Sequence, residues 1–202
     1  MKVNFLNVEK VTKSFANNLL LNYVSLGISV GDRIGIVGRN GGGKSTLIKI
    51  LTGSTTPDSG KVSKSNKAIF GLLNQFEEFD PKLQVSEYIL GSLEVHQWAS
   101  NPQIRSIFSG LFGTEAKEIF ERKIMSLSGG EKRRVGLAKL LIQPLNLILL
   151  DEPTNHLDVE GVAWLAKHLR ERKYLSVVVI THDRWFLDEI SESMWEVIDG
   201  GV

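Results

Sequence analysis

The chain contains no cysteine, which excludes disulfides and thiolate metal sites and suits a reducing cytosol. It has no apolar run close to the ~20 residues that a membrane-spanning helix needs. Nor does it open with the charge and long apolar stretch of a secretory signal. Charge of one sign is also missing: 24 lysines and arginines face 23 aspartates and glutamates, a formal net charge of +1. Such a balance gives neither a strong nucleic-acid field nor a membrane-surface field. Repeats and low-complexity tracts are absent. What remains is an ordinary globular composition over 202 residues, enough for one domain with a sizeable core and a small satellite, expected in the cytoplasm.

The most informative stretch is Gly38-Arg39-Asn40-Gly41-Gly42-Gly43-Lys44-Ser45-Thr46. It fits a glycine, four residues, then Gly-Lys-Ser, the pattern of a phosphate-binding loop. Asp32 to Val37 reads as a strand entering it. Leu47, Ile48, Ile50 and Leu51 have helical spacing after it, and Gly53 stands where a helix commonly ends. A glycine-rich turn lets backbone N–H groups converge on one concavity, and the helix start adds free donors and a positive dipole end. Lys44 would reach the β- and γ-phosphates of a nucleotide, and the Ser45 hydroxyl would ligate Mg²⁺.

Ahead of this loop, Val3 to Val8, Leu19 to Val24 and the alternating Leu26, Ile28 and Val30 read as a small antiparallel sheet, with a turn at Asn17-Asn18. Phe15 is an aromatic outside that alternation, either a core or edge residue or a face for stacking a base. Beyond the loop come a turn at Pro57 to Gly60, strand-like Lys61 to Ser63 and Ala68 to Leu73, and Gln75 just past the strand end. Residues 81–125 change character. Ile104, Ile107, Phe108 and Leu111 recur at helical spacing, as do Ala116, Ile119, Phe120 and Ile124, with Val85 to Leu93 a weaker case, which predicts about three helices. Strand and helix then alternate: a helix over Glu131 to Ile142 stopped before Pro144, a strand over Leu147 to Leu150, a helix over Asp158 to Arg172, a strand over Leu175 to Ile180 and a helix over Asp183 to Ile190. The pattern predicts an α/β fold with a doubly wound parallel sheet, an N-terminal antiparallel β-subdomain and a small helical subdomain. The boundaries expected are 1–75 and 126–202 for the core with its β-subdomain and 76–125 for the helices. Met194 to Ile198 reads as a last strand and Asp199-Gly200 as a hairpin turn. With only Gly201 and Val202 after it, the chain reads as a fragment of a longer protein.

Two further stretches carry chemistry. Leu147 to Leu150 is an apolar strand ending in Asp151-Glu152, and a buried strand delivers its C-terminal residues to the ligand crevice of an open α/β sheet. Asp151 would hold Mg²⁺ through its water shell, and Glu152 would orient and deprotonate an attacking water. Leu127-Ser128-Gly129-Gly130-Glu131 contains a Ser-x-x-Glu capping box for the next helix. Capping alone does not explain two adjacent glycines, which leave the helix start bare as a second anion site. His182 follows the strand Leu175 to Ile180, on the same sheet edge as Glu152. His96, His156 and His168, the run Lys132-Arg133-Arg134 and the cluster Lys167, His168, Arg170, Arg172, Lys173 read as structural or as solvated helix faces, and direct DNA binding is not expected.

Taken together, the phosphate loop, a lone Gln after a strand, Leu-Ser-Gly-Gly-Glu, a strand with Asp-Glu, Asn155-His156-Leu157-Asp158 and Thr181-His182 resemble the ATP-binding cassette (ABC) family over nearly the whole chain. The resemblance implies a P-loop NTPase core of ABC type that works on ATP with Mg²⁺. Phe15 would stack on adenine, and Gly38 to Thr46 would be the Walker A loop, with Gly38, Asn40, Gly41, Gly42, Gly43, Lys44, Ser45 and Thr46 around the phosphates. Gln75 would sense Mg²⁺ and γ-phosphate, and Ser128, Gly129 and Gly130 would belong to the signature motif. Asp151 would be the Walker B aspartate, Glu152 the catalytic base, Asp158 the D-loop acid and His182 the γ-phosphate contact. Asp151 to Asp158 and Thr181 to Asp188 further resemble the ABC-F subfamily, Uup-type members above all, which are cytosolic, carry two cassettes and act at the ribosome. This chain matches a first cassette, and its partner would be a second cassette closing over the nucleotide. Only about fifty residues separate Gln75 from Leu127, little room for the arm some members insert there. Two other readings stay open: the ATP-binding subunit of a membrane transporter, and an ATP-gated clamp with hydrolysis as its timer.

Overall fold

The structure is a computed structural model that describes residues 3–15, 18–73, 79–91 and 101–202. Gln75, Asn17, His96 and the end of the Val85 to Leu93 stretch lie outside the described residues. The chain divides into two compact units, one of Met1–Leu72, Leu145–Pro153 and Arg172–Val202, the other of Leu73–Pro144 and Thr154–Glu171.

In the first unit β1 (Asn4–Phe15) pairs antiparallel with β2 (Asn18–Ser29) and with β4 (Ser59–Lys64), in the order β2-β1-β4. β1 is longer than the apolar pattern predicts. Its register slips between Val8 and Val11, where Lys10 takes a φ of 48°. A bulge breaks the two-residue alternation by which a strand is read, so Lys10 to Phe15 hides from the pattern and Phe15 is in fact the last residue of β1. A second sheet has the order β5-β6-β7-β3-β8, from β3 (Arg33–Gly38), β5 (Phe70–Leu73), β6 (Leu147–Asp151), β7 (Ser176–Ile180) and β8 (Ser193–Val197). β6 is parallel to β7, and β3 is parallel to both β7 and β8. Every residue of β6 and β7 is buried, the reason these strands read as unbroken apolar runs. Helix α1 (Lys44–Thr52) lays Leu47, Ile48, Ile50 and Leu51 into a core shared with Leu6, Val11, Ile28, Leu149 and Val178. The hairpin expected at Asp199-Gly200 is present: both residues have positive φ, and Ile198 and Gly201 exchange two backbone hydrogen bonds.

The second unit is helical: α2 (Val85–Leu90), α3 (Pro102–Phe112), α4 (Ala116–Glu121), α5 (Gly129–Ile142) and α6 (Val159–Glu171). Asn101 caps α3 by accepting from the N–H groups of Gln103 and Ile104, and Pro102 fills the first turn, where its missing N–H costs nothing. Phe108 meets Phe112 and Phe120 at 5.8 and 5.0 Å between ring centres, within the range of favourable aromatic pairs. Ile124, which the spacing assigns to the helix from Ala116, lies beyond its end. Arg122 is extended there, and Lys123 bridges to Gln84. The run Lys132-Arg133-Arg134 is also less solvated than expected: all three are half-buried, and the Arg134 guanidinium stands 5.5 Å from the Phe112 ring centre.

Trp164 of α6 packs against Gly110 of α3, where a Cβ would fall inside the indole ring. Glycine in a helix interior usually costs ~1 kcal/mol against alanine, so Gly110→Ala would stabilise the unit if propensity alone decided. The expected outcome is the reverse, a loss of about 1–3 kcal/mol from overpacking, read as a lower urea midpoint with an unchanged slope.

Candidate active site

Backbone shape comes first at the phosphate loop. Gly38, Gly41 and Gly43 have φ of 144°, 76° and 103°, values open to glycine and strained for other residues. Space also requires glycine at the two ends. A Cβ on Gly38 would collide with the Val197 carbonyl, and one on Gly43 would stand 2.9 Å from the Leu20 carbonyl oxygen. Helix α1 starts at Lys44 with no side chain capping it, so its first N–H groups face the concavity. Lys44 is only 8% exposed, and its ammonium donates to the Gly38 and Arg39 carbonyls at 2.8 and 3.0 Å. Ser45 and Thr46 follow, half-buried, in the first turn. The loop has the geometry of an anion cradle with a cation folded along its rim.

The ends of β6 and β7 supply the rest of the first unit's polar groups. Asp151 closes β6 and is 7% exposed. Glu152 follows with a φ of 52°, its N–H donating to the Ile180 carbonyl at 2.8 Å. A left-handed glutamate is uncommon, and here it turns the side chain out of the strand's alternation. Glu152 Oε1 lies 3.4 Å from His182 Nε2, and that nitrogen is 3.1 Å from Asn40 Oδ1. Just beyond, the Asp183 carboxylate caps α7 (Arg184–Ile190) by accepting from Phe186 N–H at 3.0 Å. A carboxylate, an imidazole and a phosphate-loop amide thus meet from three places in the sequence. Phe15 is 52% exposed at the end of β1. Lys13 lies over its ring, 5.3 Å from the centre, and is held by Asp58 at 2.6 Å. The Ser45 hydroxyl and the Asp151 carboxylate are hard oxygen donors, and they fit a magnesium ion that keeps part of its water shell.

In the second unit Ser128 caps α5. Its hydroxyl accepts from Glu131 N–H at 3.3 Å, and its own N–H donates to Glu131 Oε2 at 2.6 Å. The capping box is therefore formed, and the helix start is not as bare as the two glycines suggest. Ser128 and Gly129 are nonetheless exposed, and a Cβ on Gly129 would meet nothing within 4 Å. Neither Gly129 nor Gly130 has a positive φ, so backbone conformation does not demand glycine at either. Asp158 caps α6, accepting from Gly161 N–H at 2.7 Å. His156, with a φ of 67°, packs its Cβ under Gly130. The grouping of Asn40 with His182, and the brace of Lys13 and Asp58 on Phe15, are features that sequence reasoning missed. Partners 142 and 45 positions apart leave no local signal.

Burial pushes the Glu131 carboxyl up, but hydrogen bonds from the Ser128 hydroxyl and N–H and from Arg122, 2.7 Å away, outweigh it and hold the group below its ordinary value. A lowered carboxylate pKa stabilises the fold above the unfolded value of ~4.3 and loses that contribution as pH falls through the folded value. Glu131→Gln should cost about 1 kcal/mol near neutral pH and remove that part of the acid sensitivity, as checked by urea unfolding across the acid range.

The sequence pattern of the family described as "ABC transporter" matches residues 21–155. The Energy-dependent translational throttle protein EttA of Escherichia coli K12 is 36% identical over 197 residues, 97% of this chain and 35% of that protein. Archaeal ribosome recycling factor aABCE1, solved in complex with the archaeal ribosomal stalk protein aP1, superposes with a TM-score of 0.83 at 28% identity, over 96% of this chain and 37% of that one. The ATP-binding cassette MJ0796, solved as a dimer in a post-hydrolysis state with ADP and Pi, gives a TM-score of 0.79 at 25% identity over 98% of this chain and 96% of that one. The chain thus spans about a third of the length of the curated relatives it matches.

Proposed function

The chain belongs to the ATP-binding cassette family, and on that premise we propose that it binds ATP and hydrolyses it to ADP and phosphate as one half of a nucleotide sandwich. The observation that carries this reading is the meeting of Glu152, His182 and Asn40 at the phosphate loop, where Glu152 Oε1 and Asn40 Oδ1 each lie within 3.4 Å of His182 Nε2. Glycine-rich N–H donors and Lys44 bind the phosphates, and Phe15 stacks on adenine, as its half-open ring allows. Glu152 accepts the proton of the attacking water, and His182 donates to the γ-phosphate. Ser45 and Asp151 would hold magnesium, which when bound would offset the charge on the phosphates; the same role for Gln75, which lies outside the described residues, rests on the family resemblance alone. Ser128, Gly129 and Gly130 offer an exposed helix start to the nucleotide of a second cassette, and Asp158 belongs to the same closing surface.

The cellular role follows by analogy with relatives. Likeness to a translational throttle protein and to a ribosome recycling factor supports the first cassette of a longer, cytoplasmic ABC-F protein acting with the ribosome. Among the described residues no helix is long and apolar enough to cross a membrane. A second reading, the ATP-binding subunit of a transporter, draws on MJ0796, described as a bacterial ABC transporter cassette and matched over 96% of its length.

Glu152→Gln should keep ATP binding and lower steady-state phosphate release by about 10²–10⁴, the usual loss on removing a general base. Unchanged release would take Glu152 out of that role. Lys44→Ala should abolish binding in a calorimetric titration, and a wild-type affinity would count against the loop assignment.

A further inference from the structure

We propose that Asn40 is a positioning residue: its side-chain amide fixes the ring of His182, with Nε2 as the donor, before any nucleotide arrives. The inference deepens the ATPase reading of this site and rests on it.

A phosphate-binding loop works through backbone N–H groups, its lysine and its hydroxyl, and the position of Asn40 in the pattern is open to any residue. Nothing in phosphate binding itself calls for an amide there. The Asn40 side chain instead spans 142 positions to reach His182 Nε2 at 3.1 Å. Glu152 Oε1 approaches the same nitrogen at 3.4 Å. Asn40 presents its amide oxygen, which can only accept, so Nε2 carries the proton of that contact. Both contacts therefore select one state of the ring, the one with Nε2–H pointing at the loop.

His182 needs such a hold. Its backbone is fixed between Thr181, whose hydroxyl accepts from Asp183 N–H at 3.2 Å, and the capped start of α7. Its side chain, however, is 64% exposed, and an exposed imidazole samples several rotamers unless something holds it. Among the described residues Asn40 and Glu152 are its polar contacts. Glu152 is the group that must turn to water during hydrolysis, so before nucleotide binds the hold falls to Asn40, which yields the Nε2–H to the γ-phosphate when it arrives. A donor already aimed at the place of the γ-phosphate loses less freedom on binding, the usual advantage of preorganisation.

The test uses this chain as wild type, Asn40→Ala, His182→Ala and the double variant. Steady-state ATP turnover is measured at saturating ATP and one chain concentration, with ATP affinity by titration. Ring ¹⁵N chemical shifts of His182 are recorded without nucleotide in mildly alkaline buffer, where imidazoles are neutral. Asn40→Ala should lower turnover at saturating ATP about three- to tenfold, the value of one hydrogen bond. In the His182→Ala background it should add nothing, because the two act as a unit. The His182 nitrogen signals should move in Asn40→Ala. Equal losses in both backgrounds, or His182 signals identical to wild type, would overturn the proposal. Wild-type turnover in both His182→Ala and Glu152→Gln would instead refute the ATPase assignment of the site, and the nitrogen spectra would still decide whether Asn40 holds the ring.

Discussion

Two carbonyl oxygens, those of Leu20 and Val197, govern the path of the phosphate loop. They crowd Gly43 and Gly38 so closely that no side chain fits at either end, and the loop's backbone has little choice but to turn its N–H groups inward. Leu20 belongs to β2 of the antiparallel sheet and Val197 to β8 of the parallel one. The two sheets of the first unit thus grip the loop at its two ends. Lys44 donates to the carbonyls of Gly38 and Arg39, so carbonyl dipoles of the same loop partly neutralise its charge.

The same logic of fixed backbone and aimed side chain recurs along the sheet. β6 and β7 are fully buried and apolar except for Asp151 and Ser176, so their register in the sheet is set by packing, and the residues at and just past their ends are placed with little freedom. Asp151 at the end of β6, and Glu152 and His182 just beyond β6 and β7, inherit that precision from the buried strands. In the second unit, the start of α5 is defined by a reciprocal pair, Ser128 with Glu131, reinforced by Arg122. An open surface at Gly129 can then be presented on a rigid helix end instead of a loose loop.

What could be read in the sequence follows from how local its cause is. The phosphate loop, the α1 core face, the buried strands and the Asp199-Gly200 turn were all legible, because glycine spacing, helical periodicity and continuous apolar runs each have a cause within ten residues. The far half of β1 was not, since the bulge at Lys10 scrambles the alternation. Arg134 reads as a surface charge because its partner, Phe112, belongs to another helix. The contact of Asn40 with His182 could not be read at all, being a product of strand order. The Ser-x-x-Glu stretch was legible as a capping box, which is formed, whereas the two glycines do not leave the helix start as bare as their presence suggests.

The backbone at Glu152 has one more implication. With its φ at 52°, this glutamate occupies a conformation that costs ordinary residues ~1–2 kcal/mol and that glycine adopts freely. Selection for a tougher fold alone would therefore drift toward glycine here and lose the carboxylate. A locally strained residue is thus the one placed against His182, so durability and the proposed catalysis pull this position in opposite directions.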